Sequence, residues 1–500
     1  MGARRAARVI VLILLNLAAH FLPFERRGFE ADDYNNYCRT LTLQRAALTS
    51  QALTQPDRPL FWWLNFEVAR LVGLDAGAQL VAVVLTSTLL ALSGFALFVE
   101  ITGCERSSFW LTALFILWPA HHALHGTVLL TTSTGVDCLY MAAATLFLRF
   151  TRTGGPAVLA ASLSLYALSL FSYELGFLAP VVAWGVARAQ GRPRCAWAFT
   201  FAVVALLNLG WRSALASATP LGPVRVPSLS ALALNTAWVL PAHFVGHIAL
   251  RNVLYGLWGF LHLPVGLLAF GLVCATLAWV GAPQMLEDLP NVDSRRMMAL
   301  LLGLYLLAAP AALLLVESRH TVLSSLAFAP LLGQALRALS RVHHRLVSLL
   351  VAILVLANQG LALRQAEAGR LSEATFSAVR DRHALLKSSA QVVFDLAGLG
   401  REIPHTWRPK PDVLRTYWGL YMFAPWGLEG MLCDSGIPEK RALGCVEPLR
   451  FTATQVECPR VFFSAEPGRS WSAARSETAV LGYEEICGKK GSRCPPLAGR

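Results

Sequence analysis

The chain of 500 residues is 55% hydrophobic and only 15% charged, with a formal net charge of +13. Soluble domains carry about 25% charged residues, so this composition excludes an ordinary soluble domain. Several uncharged runs reach the roughly 20 residues that cross a bilayer. The basic residues lie in short loops between these runs, which is the positive-inside pattern of a membrane protein. The charge therefore reflects topology and excludes nucleic acid as a partner.

The amino-terminal segment predicts the first helix and its orientation. Arg4, Arg5 and Arg8 precede an apolar run that continues through Phe24, so we expect the amino terminus in the cytoplasm. A signal peptide is the alternative interpretation of "VIVLILLNLAA", but no small-residue cleavage site follows it. In both cases the loop at 25–75, which begins with "RGFEADDYNNY", lies outside.

Two nearly uncharged runs predict hairpins whose tips face outward. The run 109–148 carries only Asp137, and its tip is "HHALHG". The run 156–187 carries only Glu174, in the turn "SYELG". At about 1.5 Å per residue, this second run exceeds one crossing and is short for two, which favours a tight hairpin.

The remaining apolar runs complete an all-α polytopic module over residues 1–363. With 226–250 left open as a span or a surface segment, we expect about eleven transmembrane helices. The basic loop "RALSRVHHR" returns the chain to the cytoplasmic side, so residues 364–500 form an extracytoplasmic domain. The later helices are expected at 196–211, 258–281, 297–316, 321–336 and 346–363.

Cysteines predict disulfides in this domain. Their gaps match no short metal-ligand spacing, and an outer compartment is oxidising. Because five is an odd number, Cys38 of the first outer loop would complete three pairs, and we expect one bridge from the tail to that loop. Cys104 and Cys195, in predicted cytoplasmic loops, are expected to be free thiols. The tail cysteines are Cys433, Cys445, Cys458, Cys487 and Cys494.

Polar side chains gather at the predicted outer ends of the helices. An ionisable group at membrane depth is costly and is usually paired or functional. Glu174 is the most informative, because a lone carboxylate in an uncharged run has no local reason to exist. The others also have structural explanations: a solvated loop, an interfacial anchor or a helix cap. The set is Asp32, Asp33, Arg58, His121, His122, Glu174, Arg212, Arg319 and His320.

The order of these elements resembles the GT-C superfamily of membrane glycosyltransferases. "EADDYNNY" followed by "DRPLFWWLN" is similar to the acidic first outer loop and Arg-Pro-Leu segment of the protein O-mannosyltransferases and the related transmembrane tetratricopeptide-type mannosyltransferases. "LWPAHHALHG", "LFSYELGFLAP" and "VESRHTVLSSLAFAPLL" are similar to later elements in the same order. The resemblance covers residues 1–340. It departs from the family at Tyr173, where Lys is common, after Arg319, where an aromatic is usual, and in a tail without tetratricopeptide repeats.

The resemblance implies an inverting transfer of a sugar from a polyprenyl-phosphate donor to an acceptor hydroxyl on a protein, a lipid or a polysaccharide. It implies an acidic residue or pair in the first outer loop as the base. We assign Asp33 as the base and Asp32 to the acceptor or a metal, with the reverse assignment left open. A positioned carboxylate base contributes about 10²–10⁴-fold to such a reaction.

The other candidates would bind the two substrates. Arg58, Arg212 and Arg319 are the candidates for the donor phosphate, because guanidinium groups make bidentate phosphate contacts. We expect His121, His122 and Glu174 to hold the sugar or the acceptor. No cofactor is required by the sequence; a divalent cation is left open, because hard cations need several oxygen ligands that a sequence alone does not assemble.

Two other classes of protein remain as hypotheses. A secondary transporter would show internal repeats and ionisable residues near the membrane midplane, whereas no clear repeat is seen and the polar groups gather at one side. A non-catalytic scaffold would use the outer tail to bind partners. Each hypothesis places the chain in the plasma membrane, which is the inner membrane in a bacterium.

The predicted topology is testable by thiol labelling in intact cells. A cysteine introduced at position 35, beside the acidic pair, should react with a membrane-impermeant maleimide added from outside. Native Cys104 should react only after permeabilisation. Labelling of position 35 only after permeabilisation would contradict the predicted orientation.

Overall fold

The computed structural model describes most of the helical part of the chain and separate pieces of the tail. The described residues are 2–21, 31–53, 58–125, 128–173, 176–218, 250–261, 263, 265–289, 294–313, 321–395, 414–416, 420–423, 425–437, 442–445, 449–459, 470–482 and 486. The ambiguous segment 226–250 lies outside them except for its last residue.

The described part of the chain contains sixteen α-helices. They are α1 (Gly2–His20), α2 (Ala31–Thr42), α3 (Arg45–Leu53), α4 (Pro59–Val72), α5 (Ala76–Thr102), α6 (Glu105–Leu117), α7 (Val128–Thr153), α8 (Pro156–Ser172), α9 (Ala179–Ala189), α10 (Phe199–Ala218), α11 (Arg251–Phe260), α12 (Val265–Asp288), α13 (Ser294–Leu313), α14 (Val322–Asp381), α15 (His383–Ser388) and α16 (Pro425–Asp434). Short 3-10 helices cover Pro119–His125, Cys195–Ala198 and Arg475–Glu477.

Four of the described helical segments are long and apolar enough to cross a membrane. They are Ala76–Thr102, Cys195–Ala214, Val265–Asp288 and Val322–Asp381. This supports a helical membrane protein. The number of eleven spans and the side on which each loop lies stay predictions.

The helix boundaries agree with the two predicted turns. The helices α6 and α7 flank the 3-10 helix Pro119–His125, which carries the predicted tip. The helix α8 ends at Ser172 and α9 begins at Ala179, so the turn falls at "SYELG" as expected. A proline begins α8 at Pro156, where its missing N–H has no helical partner to lose.

Three predicted helix boundaries are wrong. The predicted helix 258–281 is divided between α11 and α12, and α10 continues past Arg212 to Ala218. The predicted loop "RALSRVHHR" is a kink at His343 (φ −142°, ψ 70°) inside α14. That segment contains no Gly or Pro, the residues that most often end a helix. The domain boundary expected after residue 363 therefore falls within α14, which reaches Asp381.

The core of the bundle is formed where α5, α6, α7, α8 and α14 pack together. Phe98, Leu114, Phe147 and Tyr166 are almost fully buried there. The helices α11 and α14 approach so closely that a Cβ atom on Gly256 or Gly360 would overlap the facing backbone. Small residues at such crossings let backbones touch, which is a common packing device between membrane helices.

Ion pairs tie the helix ends together at the side of the bundle where the basic loops lie. Arg8 contacts Glu105 at 3.2 Å and Arg106 contacts Asp288 at 2.6 Å. Arg152 contacts Glu100 at 3.1 Å. The first pair joins α1 to the start of α6, and the second joins the start of α6 to the end of α12. The third pair joins the end of α7 to the end of α5. The loops predicted to share the cytoplasmic side therefore lie at one end of the bundle.

The tail contains sheet structure that the all-α description of the membrane module did not specify. The strand β1 (Gln391–Asp395) pairs in parallel with β4 (Ala442–Cys445) and β8 (Thr478–Leu481). Two antiparallel sheets accompany it: one joins β2 (Leu414–Thr416) to β3 (Leu420–Phe423), and the other has the order β5 (Arg450–Phe451), β6 (Gln455–Cys458) and β7 (Trp471–Ala474).

The central strand β1 is buried against helices. Val392, Val393 and Phe394 have 0% exposure, as expected for a parallel strand that is covered on its faces. Leu432 of α16 and Tyr34 of α2 belong to the same apolar cluster. The first outer loop and the tail therefore share a core.

Disulfides connect the same two regions. Cys38 of α2 is bonded to Cys433 of α16, with 5.7 Å between the Cα atoms. This confirms the expected bridge from the tail to the first outer loop. A second bridge joins Cys445 to Cys458. Cys104 and Cys195 are free, as predicted, and the remaining tail cysteines lie outside the described residues.

Chemical cleavage after methionine tests the long-range bridge without depending on folding of a variant. The alkylated, denatured and unreduced chain should yield fragments 2–141 and 432–500 as one covalent species, because Cys38 and Cys433 lie in different fragments. Reduction should separate them, as should Cys38→Ser without reduction. Separate fragments from the unreduced wild-type chain would contradict the structure.

Candidate functional site

Arg58 and Tyr173 bring two of the predicted elements together. Arg58 immediately precedes Pro59, the first residue of α4, and its guanidinium carbon lies 4.1 Å from the centroid of the Tyr173 ring. Phe61 packs on the same ring with 5.6 Å between centroids, and Tyr140 of α7 donates a hydrogen bond to the Tyr173 carbonyl. A cation over an aromatic face contributes about 0.5–2 kcal/mol, more when it is desolvated. The start of α4 is thereby held against the turn that follows α8.

Arg212 contacts the same end of α8 from another direction. Its Nη2 donates to the carbonyl of Leu170 at 2.7 Å, and Phe171 packs on Trp211 with 5.1 Å between ring centroids. The carbonyls in the last turn of a helix have no helical donor. A cation there donates a hydrogen bond to one of them and interacts favourably with the negative end of the helix dipole. Two of the three predicted phosphate-binding arginines therefore contact residues that are three positions apart.

The acidic pair is carried by α2. Asp32 and Asp33 occupy the first turn of α2, which contacts both α4 and α7. In the next positions of α2, Tyr34 is fully buried and shares a hydrogen bond of 3.2 Å with Ser372 of α14. The helix that carries the predicted base is therefore fixed by packing as well as by its disulfide.

Several predicted site residues cannot be placed in this geometry. Glu174, Arg319 and His320 lie outside the described residues, and so do the side chains of Asp32, Asp33 and His122. Their assigned roles stay predictions. In sequence, Glu174 directly follows Tyr173, and Arg319 lies three residues before Val322, where α14 begins.

His121 belongs to a buried cluster of imidazoles. It is 1% exposed, and its ring stacks on Phe115 with 4.7 Å between centroids. Burial lowers the pKa of His121 to about 3, so its ring is neutral at physiological pH. The other members are His20 at the end of α1 and His125 at the end of the 3-10 helix. Neither was among the predicted site residues: His125 lies in the quoted motif "HHALHG" but was not singled out, and a single His beside an apolar run, such as His20, carries no pattern.

The backbone at the end of α6 explains why polar side chains enter this apolar region. Pro119 cannot donate to the ladder, so α6 ends at Leu117 and leaves carbonyls without helical partners. His20 Nε2 contacts the Ile116 carbonyl at 3.0 Å. Asn358 Nδ2 donates to the Leu117 carbonyl and Asn252 Nδ2 to the Pro119 carbonyl, at 2.8 and 2.7 Å. Three side chains from distant parts of the chain thus provide hydrogen bonds to the carbonyls at the end of α6.

A second group of candidate ligands lies at the disulfide of α2. Asp434 follows Cys433, and its carboxylate lies close to both bridged sulfurs. A metal binds the thiolate form of cysteine, and these two sulfurs are bonded to each other, so they offer no metal site. Both oxygens of Asp434 are buried and have no hydrogen-bond partner in the part of the chain that the structure describes. Burial raises the pKa of Asp434 to about 8.

Comparison with known proteins adds no family assignment. No protein-family model matches the chain, and no curated protein sequence matches it. A function for this chain is therefore proposed from its own motifs and from the contacts described above.

The raised pKa of Asp434 predicts how stability depends on pH. The folded chain keeps a proton that the unfolded chain loses above its ordinary pKa of 3.8, so wild-type stability should fall as the pH rises from about 4 to about 8. Asp434→Asn removes the group that titrates. The melting temperature of the variant should therefore rise relative to wild type across that interval, as measured by thermal unfolding in detergent.

Glu477→Gln is the matched control, because Glu477 is an exposed carboxylate in the same domain. Its melting temperature should follow that of wild type at every pH. A difference between Asp434→Asn and wild type that does not change between pH 4 and pH 8 would show that Asp434 has an ordinary pKa.

Proposed function

We propose that this chain is an integral membrane glycosyltransferase that moves a sugar from a polyprenyl-phosphate donor to an acceptor hydroxyl, with inversion at the anomeric carbon. The observation that carries the proposal is the arrangement of two arginines at the end of α8. Arg58 contacts Tyr173 and Arg212 contacts Leu170. The two segments of the resemblance that contain Arg58 and Tyr173, which are far apart in sequence, are adjacent here in space.

The arrangement of the two arginines suits a lipid donor that carries its sugar on a phosphate group. Negative charge develops on the departing phosphate in the transition state, and fixed cations there stabilise it. Stacking on Tyr173 engages the face of the Arg58 guanidinium, whereas hydrogen bonds to phosphate form at its edge. The two contacts do not compete, so the aromatic ring orients the cation for the phosphate.

The proposed base is on a rigid support. A catalytic group must be held close to its productive geometry, and sites on packed helices achieve this better than sites on loops. Asp33 is on α2, which is held by the Cys38–Cys433 bridge and by the buried Tyr34. In the proposed reaction Asp33 accepts the proton of the acceptor hydroxyl while Asp32 binds the acceptor.

The apolar surface of the bundle supports the use of a lipid donor. Large apolar side chains of α10 and α12 are exposed, among them Leu207 at 69% and Val280 at 69%. Such a surface is typical of contact with lipid or with another protein. A polyprenyl chain is a hydrocarbon, as lipid tails are. The apolar surface of a helical bundle therefore offers it a binding surface without added polar groups.

A secondary transporter is the second candidate, and one observation favours it. Asp137 lies inside α7 and is 3% exposed. An ionisable residue at such a depth often marks an ion pathway. A transporter would depend on Asp137, whereas the glycosyltransferase would depend on the acidic pair of α2. A non-catalytic scaffold would depend on neither.

Substitution of the acidic pair tests the proposal. The double variant Asp32→Asn, Asp33→Asn should lose sugar transfer from a radiolabelled polyprenyl-phosphate sugar by at least about 10²-fold, because it has no base for the acceptor. Asp137→Asn is the matched control and should retain transfer. Formation of the Cys38–Cys433 bridge in both variants shows that α2 and the tail are assembled.

Two outcomes would contradict the proposed glycosyltransferase activity. Transfer that persists in the double variant would show that neither aspartate is the base. A wild-type chain that never releases lipid phosphate from any donor, while Asp137→Asn alone abolishes solute uptake by cells, would support the transporter.

A further inference from the structure

We propose that a basic cavity at the end of α9 binds the headgroup of an anionic phospholipid. The cavity has a volume of about 520 Å³. It is separate from the proposed glycosyl-transfer residues, because Arg212 lies near the far end of the 20-residue segment Cys195–Ala214, which rises about 30 Å. The inference therefore does not depend on the proposed activity. The residues that line the cavity are Arg188, Ala189, Gly191, Arg192 and Cys195.

A sharp turn of the chain after α9 forms the cavity. Gly191 has a φ of 65°, which glycine adopts without steric cost. The N–H of Gly191 donates to the carbonyl of Arg188 at 2.9 Å, and the N–H of Arg192 donates to the carbonyl of Ala187 at 3.0 Å. These two bonds are the Schellman ending of a helix. The turn places two arginines, four positions apart, around one cavity.

Hydrogen bonds fix the side chain of Arg192, which is partly buried. Its Nη1 donates to the Leu148 carbonyl and lies 3.2 Å from Thr151 Oγ1, and its Nη2 donates to the Glu100 carbonyl at 2.7 Å. A guanidinium has five N–H groups. The three contacts leave two of them, including the one on Nε, without a partner in the part of the chain that the structure describes. Arg192 is thus a positioned cation with donors to spare.

No carboxylate of the described residues pairs with the arginines of the cavity. Other arginines at this end of the bundle have such partners, as Arg152 has Glu100 at 3.1 Å. Arg188 is exposed, and its guanidinium carbon lies 5.9 Å from the centroid of the Trp184 ring. The positive charge of Arg188 and Arg192 is therefore available to an anion from outside the chain.

The helix that starts at the cavity indicates that this anion belongs to a lipid. The segment Cys195–Ala214 is long and apolar enough to cross a membrane. At its start, Phe199 is 70% exposed and Val203 is 56% exposed, which suits contact with acyl chains. Trp197 packs edge-on against Phe150 with 6.1 Å between ring centroids, and Trp is enriched at the level of the lipid headgroups. A headgroup in the cavity would thus have its acyl chains beside α10.

The two guanidinium groups select the class of headgroup. Guanidinium groups bind phosphate oxygens through charge-assisted hydrogen bonds. A zwitterionic headgroup also carries an ammonium group, which two arginines repel. The basic loops of this end are predicted to face the cytoplasm, where the leaflet carries anionic lipids and basic pockets between membrane helices bind their headgroups.

Native mass spectrometry of the full-length, detergent-purified chain tests the inference. The wild-type chain should retain one phosphatidylglycerol under conditions in which it loses phosphatidylethanolamine. Arg188→Gln should weaken the binding of phosphatidylglycerol about fivefold, which is the contribution of one basic residue near an anionic surface. Arg345→Gln is the matched control, because Arg345 is an exposed cation in the predicted cytoplasmic segment of α14 and does not line the cavity. It should bind as wild type does.

A second measurement uses only the wild-type chain, in case Arg188→Gln does not fold. Cys195 is a free thiol that lines the cavity, whereas Cys104 is a free thiol outside that lining. Phosphatidylglycerol should slow the reaction of Cys195 with a maleimide at least fivefold and leave the rate at Cys104 unchanged. Phosphatidylethanolamine should slow neither reaction. Mass spectrometry of the labelled peptides gives both rates.

Three outcomes would overturn the inference. Equal retention of the two lipids would show that the headgroup charge is not recognised. An equal loss of affinity in Arg188→Gln and Arg345→Gln would show a general attraction to basic residues rather than a site. Protection of Cys195 by inorganic phosphate alone, to the same extent as by phosphatidylglycerol, would assign the cavity to a free anion instead of a lipid.

Discussion

The end of α6 at Pro119 is the constraint on which the arrangement of the bundle depends. A buried carbonyl without a donor is costly in apolar surroundings. The carbonyls of Ile116, Leu117 and Pro119 receive their hydrogen bonds from α1, α14 and α11, respectively. A single break in one helix therefore determines which three other helices must meet at the hairpin tip, and each must carry a donor there.

The two ends of the bundle consequently differ in chemistry. At one end, Arg–Glu and Arg–Asp pairs connect helix ends that are partly exposed, as at Arg106 and Asp288. Such pairs contribute little individually, about 0–1 kcal/mol, and are compatible with contact with water. At the other end, the contacts are buried imidazoles, amides and stacked rings, and α2 is bonded covalently to the tail. This second end combines rigidity with unused chemical capacity, which is the combination that a functional site needs.

The features that the sequence predicted are those that depend on composition over a long run. The hairpins at 121–126 and 173–178 follow from uncharged runs bounded by arginines, and the bridge from Cys38 follows from compartment and an odd cysteine count. The kink at His343 was not predictable, because the charge of a loop and the charge of an exposed helix turn look alike in sequence. The histidine cluster was also hidden: His20 and His125 are 105 positions apart and meet only because α6 breaks between them. The parallel pairing of β1 with β4 and β8 likewise joins short strands that are distant in sequence.

Tyr173 shows how the structure changes the meaning of a departure from a family pattern. In the GT-C resemblance this position commonly holds Lys, so a tyrosine there argues at first against the activity. The guanidinium of Arg58 lies over the Tyr173 ring, however, and a positive charge is therefore present at this turn although it comes from a residue 115 positions away. Lys supplies a flexible point charge, whereas Arg on an aromatic ring supplies a planar donor with a fixed direction. The tyrosine thus gains a physical role as the support for a cation. Replacing it would disturb the orientation of Arg58 without removing the charge, which distinguishes a positioning residue from Arg58, the proposed phosphate ligand.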